Sequence, residues 1–449
     1  MSVSTIAFLP MVALSAGGSI GALAGGGPSW REVVETLTFR AGYNTNLVIG
    51  GTTLLGLAAG VVGVFALLRK RALMTDALSH ATLPGIALAF LVASGFGLAG
   101  RSLPLLLVGA TVTGVLGVVC IQAILRWSRL HEDAAIGIVL SVFFGAGIVG
   151  FSWIQVNAPE GSAGLSGFIY GQAATMRPPD VLVMAGIAVV AVLAALLLLK
   201  EFALVCFDEV FARVDGWPVS LIDLLMMALV VLVTVAGLQA VGLILVVAVL
   251  IIPPVAARFW TERLWLLVVL AGVIGAGSGY LGSVVSALLP RKPAGAVIVL
   301  TAGAIFVVSL LAAPTRGAVA TVWRRLRLRL RIAADHLLEH AHEEGGEVLP
   351  AAEVRAMARR RGWSPFFRAS LITLLRMRGL VHRDPAGLRI PAVGRARGAR
   401  VSRNHALWEQ YLIRHADVAA SHVDWSVDQV EHVLSDDLIR GLEAELESR

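Results

Sequence analysis

Asp76 and His80 have the residue types and the spacing to hold a metal ion. They lie four residues apart in the stretch RALMTDALSHATLPGIALAF, residues 71–90, where one apolar run has ended and another begins. In an α-helix residues i and i+4 share a face, so the carboxylate and the imidazole can converge on one point. This pair suits manganese, iron or zinc, and the carboxylate favours manganese. The alternative is that Asp76 caps the helix N-terminus and His80 is an interfacial polar group.

The elements around this pair are predicted to cross a membrane. Of the 449 residues, 57% are hydrophobic and only 15% are charged, and the mean hydropathy is +0.81, values typical of a polytopic membrane protein. A buried charge costs about 2.5–3.5 kcal/mol or more in a bilayer, so an ionisable pair at the start of a span indicates function. Pro84 and Gly85 are expected to loosen this span. Apolar runs of about 20 residues predict about nine helices, with a range of eight to ten, near residues 46–67, 77–98, 103–127, 133–153, 177–199, 219–238, 241–260, 264–289 and 293–313.

The distribution of positive charge predicts the orientation and the domains. Arginine and lysine recur in alternate loops, which places the C-terminal part in the cytosol. The first ~26 residues are predicted to be either an extra helix or a cleaved leader. The predicted organisation is an N-terminal apolar segment with an external loop (1–45), a transmembrane domain (46–315), a basic linker and helix (316–345), a winged-helix-like domain (346–400) and a helical metal-binding and dimerisation domain (401–449).

The stretch around Asp76 and His80 resembles the signature segment of the permease subunits of ABC importers for manganese, zinc and iron. Two further stretches are similar to segments of that family, LQAVGLILVVAVLIIPPVAARF at 238–259 and PAGAVIVL at 293–300. The resemblance implies an all-α permease of the bacterial inner membrane, working as a homodimer or with a similar permease and receiving metal from an extracytoplasmic metal-binding protein. It implies that Asp76 and His80 handle the transported Mn²⁺, Zn²⁺ or Fe²⁺ in the translocation path, at a site shared across a pseudo-twofold axis, with no permanently bound cofactor.

A charged loop between two spans carries the expected contact with an ATPase. EFALVCFDEVFARVDGWP, residues 201–218, resembles the cytosolic coupling segment of these permeases, which implies that a separate ATP-binding subunit is faced by Asp208, Glu209, Ala212, Arg213 and Gly216. The alternative is an ordinary amphipathic interfacial helix. The chain has only three lysines, none within a Walker P-loop motif, so it is not expected to be an ATPase itself. An ion-coupled secondary transporter is the alternative function.

The stretch from Leu349 to Ile390 reads as helix, turn, helix and wing, with a turn at 384–387. This pattern resembles a winged helix, and Arg368, Arg376 and Arg378 could contact DNA. Three arginines equally form a solvated face, and tethering to a membrane disfavours DNA as a partner. A DNA-binding metalloregulator therefore remains an alternative for this appendage.

The last segment resembles the metal-binding and dimerisation part of iron- and manganese-dependent repressors of the diphtheria toxin repressor type. NHALWEQYL at 404–412 and DQVEHVLSDDL at 428–438 carry this resemblance. It implies a site for regulatory Mn²⁺ or Fe²⁺ with the ligands His405, Asp428, Glu431 and His432. Spacings of three and four residues place the last three of these on one helix face. Glu409 matches a second metal site, and His336 stands where the family has an acidic or thioether ligand. The alternative is a retained dimerisation helix pair.

Overall fold

The computed structural model describes residues 29–69, 71–96, 103–157, 171, 173, 176–289 and 292–415. The chain divides into two compact units, and the boundary falls between Ala318 and Val319. The segment proposed as an extra helix or leader lies outside the described residues.

All described secondary-structure elements of the first unit are helices. Their bounds are α1 (Trp30–Leu37), α2 (Tyr43–Leu68), α3 (Ala72–Ala81), α4 (Leu83–Gly95), α5 (Leu103–Trp127), α6 (Glu132–Asn157), α7 (Pro178–Leu197), α8 (Leu199–Phe207), α9 (Glu209–Val214), α10 (Val219–Ala240), α11 (Leu243–Arg258), α12 (Leu264–Leu288) and α13 (Ala294–Ala312).

Eight stretches of the described helices are long and apolar enough to span a membrane, and α3 with α4 forms one of them. The ninth predicted span corresponds to α11, which is shorter, with 16 residues, and contains Pro253 and Pro254. It begins after Gly242, which has a φ of 87°. The prediction of an all-α polytopic fold with eight to ten spans is confirmed.

The predicted loosening near Pro84 takes the form of a break two residues earlier, at Thr82. Helix α3 ends at Ala81 and α4 begins at Leu83, with Thr82 between them. Pro84 lies in the first turn of α4, where its missing N–H costs no helical hydrogen bond. The span predicted near residues 77–98 is therefore present, at Leu73–Gly95, and consists of two helices separated at Thr82.

Helix α2 lies at the centre of the first unit, with α7, α10, α11 and α12 packed against it. Small residues allow this packing, because a Cβ placed on Gly56 would come within 2.1 Å of the carbonyl oxygen of Gly275 on α12. The hydroxyl groups of Thr52 and Ser283 share a hydrogen bond of 2.7 Å between the same two helices. At the other end of α2, the ring of Phe65 packs edge-on against Phe202 of α8, with 5.0 Å between centroids. The interface between α2 and α12 thus combines close backbone approach with buried hydrogen bonds of Thr52.

The second unit is a winged helix enclosed by two long helices. Its elements are α14 (Ala318–Glu343), β1 (Val348–Pro350), α15 (Ala351–Arg360), α16 (Pro365–Met377), β2 (His382–Asp384), β3 (Gly387–Arg389) and α17 (Ala392–His415). The strands form an antiparallel sheet in the order β1-β3-β2. Apolar side chains from α14, α16 and the sheet build a separate core, which includes Leu337, Leu338, Leu371, Leu375 and Leu388. The predicted helix, turn, helix and wing pattern is therefore present.

Candidate functional site

Asp76 and His80 lie on one face of α3, as their spacing predicts. Nε2 of His80 is 3.8 Å from Oδ1 of Asp76. The side chain of Asp76 is 49% exposed and that of His80 is 24% exposed, so both are reachable in a helix that is otherwise largely buried. Helix α3 begins at Ala72, and its N-cap residue is Arg71. Asp76 therefore lies inside the helix, and the alternative reading of Asp76 as an N-cap is wrong.

The imidazole of His80 is held by an aromatic neighbour. Its ring makes an edge-on contact with Phe144 of α6, with 5.0 Å between centroids and an interplanar angle of 87°. Nδ1 of His80 is buried and has no hydrogen-bond partner among the described residues. The side chain thus has a fixed position and an unused ring nitrogen, and its other nitrogen faces Asp76.

This pair fits a transient metal site with further ligands from elsewhere. Two ligands of one first-row ion, with bonds of roughly 2.1 Å, lie about 3–3.5 Å apart, and a small side-chain rotation brings 3.8 Å into that range. A carboxylate with an imidazole is a donor set for manganese, iron or zinc. Two donors cannot satisfy such an ion, so the site is suited to passage rather than to permanent binding.

An ion-pair network with a buried centre lies next to the start of α3. We call it the Asp223 network, and its members are Asp223, Arg69, Arg71, Gln122, Glu132 and Glu209. Asp223 of α10 is 5% exposed. Its Oδ1 accepts a hydrogen bond of 3.1 Å from Nε of Arg69, and its Oδ2 accepts one from Nη1 of Arg71. Gln122 of α5 donates to Oδ2 as well, at 3.2 Å. Both oxygens of this carboxylate are therefore paired, as a buried charge requires.

The segment predicted to contact an ATPase forms α8, α9 and the turn that follows. Asp208 caps α9 by accepting a hydrogen bond of 2.8 Å from the backbone N–H of Phe211. Gly216 forms the turn after α9 with a φ of 85°, a conformation that favours glycine. Both residues therefore shape the segment.

The side chains that this segment exposes are only partly those predicted. Ala212 is fully buried, so it presents no surface to a partner, because the inner face of α9 packs on the core. Arg213 is exposed and pairs with Glu209. Apolar side chains share the exposed face: Phe207, Val210, Phe211 and Val214. Sequence reasoning missed these four residues, which lie in and beside the charged stretch from residue 208 to 215.

Glu209 connects this segment to the Asp223 network. Its Oε2 lies 3.0 Å from Nη1 of Arg69, and the same nitrogen donates to the carbonyl oxygen of Val205 at 3.0 Å. Burial alone would raise the pKa of Glu209, but the hydrogen bond and charge of Arg69, together with Arg213, lower it below its ordinary 4.5. The carboxylate is therefore ionised at neutral pH, and the link between α9 and α2 is a charged one.

A second group of candidate ligands lies in the winged-helix unit. His336 and Glu339 of α14 are three residues apart, with Nδ1 of His336 3.6 Å from Oε2 of Glu339. His405 of α17 approaches from the other side, with Nδ1 3.4 Å from Oε1 of the same glutamate. A second contact between these helices is the pair of Asp335 and Arg397, at 2.8 Å. The structure thus brings together His336 and His405, which were predicted, and Glu339, which was missed.

These three side chains open into a cleft of about 670 Å³ that also receives Arg360, Arg361 and Ser402. Separations of 3.4 and 3.6 Å are close to the spacing of about 3.4 Å between two ligands of a tetrahedral ion with bonds of roughly 2.1 Å. Two imidazoles and a carboxylate are a donor set suited to a divalent transition metal. The side chain of Glu409 lies outside the described residues, as do Asp428, Glu431 and His432.

Another possible ligand group in the described part of this unit consists of His340, Glu344 and Glu353. Their nearest ligand atoms lie within 4.8 Å of one another. Glu344 is exposed and His340 also lines the cleft. This group is a competitor for added metal and must be separated from the first in any binding experiment.

Comparisons with known proteins agree with this architecture. The model of the ABC 3 transport family matches residues 43–313, and that of the iron dependent repressor, metal binding and dimerisation domain, matches residues 392–448. The manganese transport system membrane protein MntC of Bacillus subtilis is 38% identical over 377 residues, covering 84% of this chain and 86% of the relative. The zinc transport system membrane protein TroC of Treponema pallidum is 44% identical over 288 residues, covering 64% of this chain and 95% of the relative.

A solved structure, PsaBC from Streptococcus pneumoniae in complex with Fab, is 32% identical with a TM-score of 0.56. The match covers 67% of this chain and 99% of that chain. Because the family match spans more than half of its residues, this chain belongs to the ABC 3 transport family, as a multi-pass membrane permease that carries an iron-dependent-repressor-type domain on its cytosolic side.

Proposed function

We propose that this permease imports a divalent transition metal, with manganese preferred over zinc and iron, on ATP hydrolysed by a separate subunit. The observation that carries the proposal is the pair of Asp76 and His80, 3.8 Å apart inside an apolar span. Relatives named as manganese and zinc transport proteins support the class of substrate. The carboxylate supports manganese among these metals, because hard oxygen ligands suit it best.

Asp76 and His80 act as two ligands of a passing ion. Because Asp76 and His80 supply only two donors, a second permease copy or a related permease completes the site across a twofold axis. A low ligand number per subunit keeps the ion exchangeable, which transport requires. The ion arrives from an extracytoplasmic metal-binding protein.

The exposed face of α8 and α9 is the surface for the ATP-binding subunit. It presents apolar side chains beside the charged Arg213. Protein interfaces commonly have such an apolar centre with a polar rim. Asp208 and Gly216 contribute by shaping this face, while Glu209 ties it to the transmembrane helices.

Purified transporter in proteoliposomes tests the class of transport. Manganese import is measured with ATP on the side of the ATPase, with a hydrolysis-deficient ATPase subunit, and with a protonophore. The proposal predicts import that needs ATP hydrolysis and is insensitive to the protonophore. Import without a functional ATPase that collapses with the protonophore would instead establish an ion-coupled secondary transporter. Competition by zinc and iron, each in excess, ranks the three metals.

The winged-helix unit senses cytosolic metal in this proposal. His336, Glu339 and His405 form one side of the site, supported by separations of 3.4 and 3.6 Å around Glu339. Asp428, Glu431 and His432 supply the remaining ligands, and Glu409 belongs to a second site. Metal binding here slows import. Import at rising internal manganese tests this: the wild type slows, and a Glu339→Gln variant keeps its rate. Equal slowing of both would contradict a sensing role.

A further inference from the structure

We propose that Asp223 is a positioning residue through which movement of the α9 segment reaches the metal-handling helix α3. This inference rests on the proposed function, because it assumes that α9 contacts the ATP-binding subunit and that α3 carries the metal ligands. What it adds is a specific carboxylate that joins the two.

The two arginines of the network flank a break in the chain. Arg69 is the C-cap of α2 and Arg71 is the N-cap of α3, with one residue between them. Both bind the same carboxylate, one through each oxygen. The angle between α2 and α3 is therefore set by Asp223, which belongs to a third helix.

Each arginine also binds a second acidic residue farther away. Arg69 pairs with Glu209, the first residue of α9, at 3.0 Å. Arg71 pairs through Nε with Glu132, the first residue of α6, at 2.8 Å. Helix α6 carries Phe144, whose ring packs on His80. A displacement of α9 thus pulls on Arg69, then on Asp223 and Arg71, and arrives at both helices that hold His80.

Burial of its central residues makes the contacts of Asp223 with the two arginines move as a unit. The side chains of Arg69, Arg71 and Asp223 are only 11%, 14% and 7% exposed, whereas the outer partners Glu209 and Glu132 are 35% and 42% exposed. Releasing one partner leaves an unpaired charge away from water, which is strongly unfavourable. Contiguous networks of ion pairs and hydrogen bonds are one physical route by which coupling travels between two sites. A loose surface pair would rearrange instead, because water replaces its partner at little cost.

A purely structural clamp is the competing explanation, and the ratio of metal imported to ATP hydrolysed separates the two. The experiment uses the complete transporter in proteoliposomes and compares the wild type with Asp223→Asn, which keeps the shape but removes the charge. We expect ATP hydrolysis to continue while manganese import per ATP falls on the order of 5-fold or more, the lower end of typical coupling between sites. Asp223→Glu, which restores the charge, recovers part of the ratio.

Two further variants complete the design. Asp133→Asn removes an exposed carboxylate beside Glu132 and serves as the matched control with a wild-type ratio. Gln122→Ala removes only one hydrogen bond to Asp223 and is expected to lower the ratio by less than Asp223→Asn. If Asp223→Asn fails to fold, the ratio of metal imported to ATP hydrolysed in Gln122→Ala distinguishes coupling from a structural clamp.

Import and hydrolysis that fall in proportion, with a lower Tm, would show a structural clamp and overturn the inference. An unchanged ratio in Asp223→Asn, or in Gln122→Ala when the former does not fold, would overturn it as well. Failure of the proposed function would give a different result. Manganese import by the wild type would then be absent, or the Asp76→Asn variant would import manganese at the wild-type rate.

Discussion

Glu339 and His405, on different helices of the winged-helix unit, place Oε1 and Nδ1 3.4 Å apart. His336 approaches the other carboxylate oxygen, at 3.6 Å. The glutamate therefore stands between two imidazoles, and the proposed metal binding at this point is expected to depend on it.

Replacing Glu339 by glutamine is expected to weaken Mn²⁺ binding to the full-length protein by at least ~10-fold, the least that loss of a supporting group typically costs a metal site. Equilibrium dialysis with metal analysis measures the affinity. Glu347→Gln is the matched control, because Glu347 pairs with Arg395 at 3.1 Å outside the cleft. If binding instead disappears in His340→Ala and survives in Glu339→Gln, the metal occupies the neighbouring group.

Glu209 predicts an acid-sensitive contribution to stability. The pKa of Glu209 is lowered in the folded protein from its ordinary 4.5. The stabilisation of the folded state by this carboxylate is therefore fully present above pH 4.5 and is lost as the pH falls through the lowered pKa. The Tm of wild type should exceed that of Glu209→Gln at pH 7, and the difference should vanish below the folded-state pKa. A difference that persists unchanged in strong acid would show that the charge is not its source.

Cys206 is expected to be an unreactive thiol. Burial raises its pKa from 9.0 to about 11, and Asp223 adds to this while Arg69 opposes it. At pH 7.5 roughly 1 in 3,000 molecules then carries the thiolate, the form that reacts with maleimides. The chain has two cysteines, so a Cys120→Ser background isolates Cys206. Labelling should be slow at pH 7.5 and accelerate about tenfold per pH unit, and rapid labelling at neutral pH would contradict the buried environment.

Gly56 is predicted to be indispensable for packing of α2 on α12. A Cβ at this position would lie 2.1 Å from a backbone oxygen of Gly275, and a backbone atom cannot rotate away. Gly56→Val should lower stability by at least the ~1–3 kcal/mol typical of overpacking, seen as a lower Tm in detergent. Gly50→Val lies on the same helix with no atom within 4 Å of the added Cβ, so it controls for helix propensity. Equal Tm values for the two variants would contradict this packing.

The sequence predicted best what depends on local pattern. Apolar runs located the spans because a helix needs about 20 apolar residues to cross the hydrocarbon core. The spacing of Asp76 and His80 predicted a shared helix face, which the structure contains. Glu339 could have been found from the same rule, since it lies three residues after His336 on one helix.

Long-range pairing was out of reach. Nothing in the local sequence links Arg69 and Arg71 to Asp223, because their contact depends on how three helices cross. The burial of Ala212 was missed for a related reason: α9 has only six residues, too few for a periodic pattern to show which face points inward. The helix break was expected at Pro84 but lies at Thr82. Proline is tolerated in the first turn of a helix, so Pro84 fits inside α4.

The most direct test of the account is manganese import by the complete transporter in proteoliposomes, comparing wild type with Asp76→Ala and His80→Ala at matched reconstitution. His131→Gln and Asp133→Asn, exposed residues of the same types, serve as controls. The account predicts that each substitution on α3 reduces import by at least about tenfold, while the controls import normally. Import that survives both substitutions on α3 would contradict the assignment of Asp76 and His80 as ligands of the transported metal.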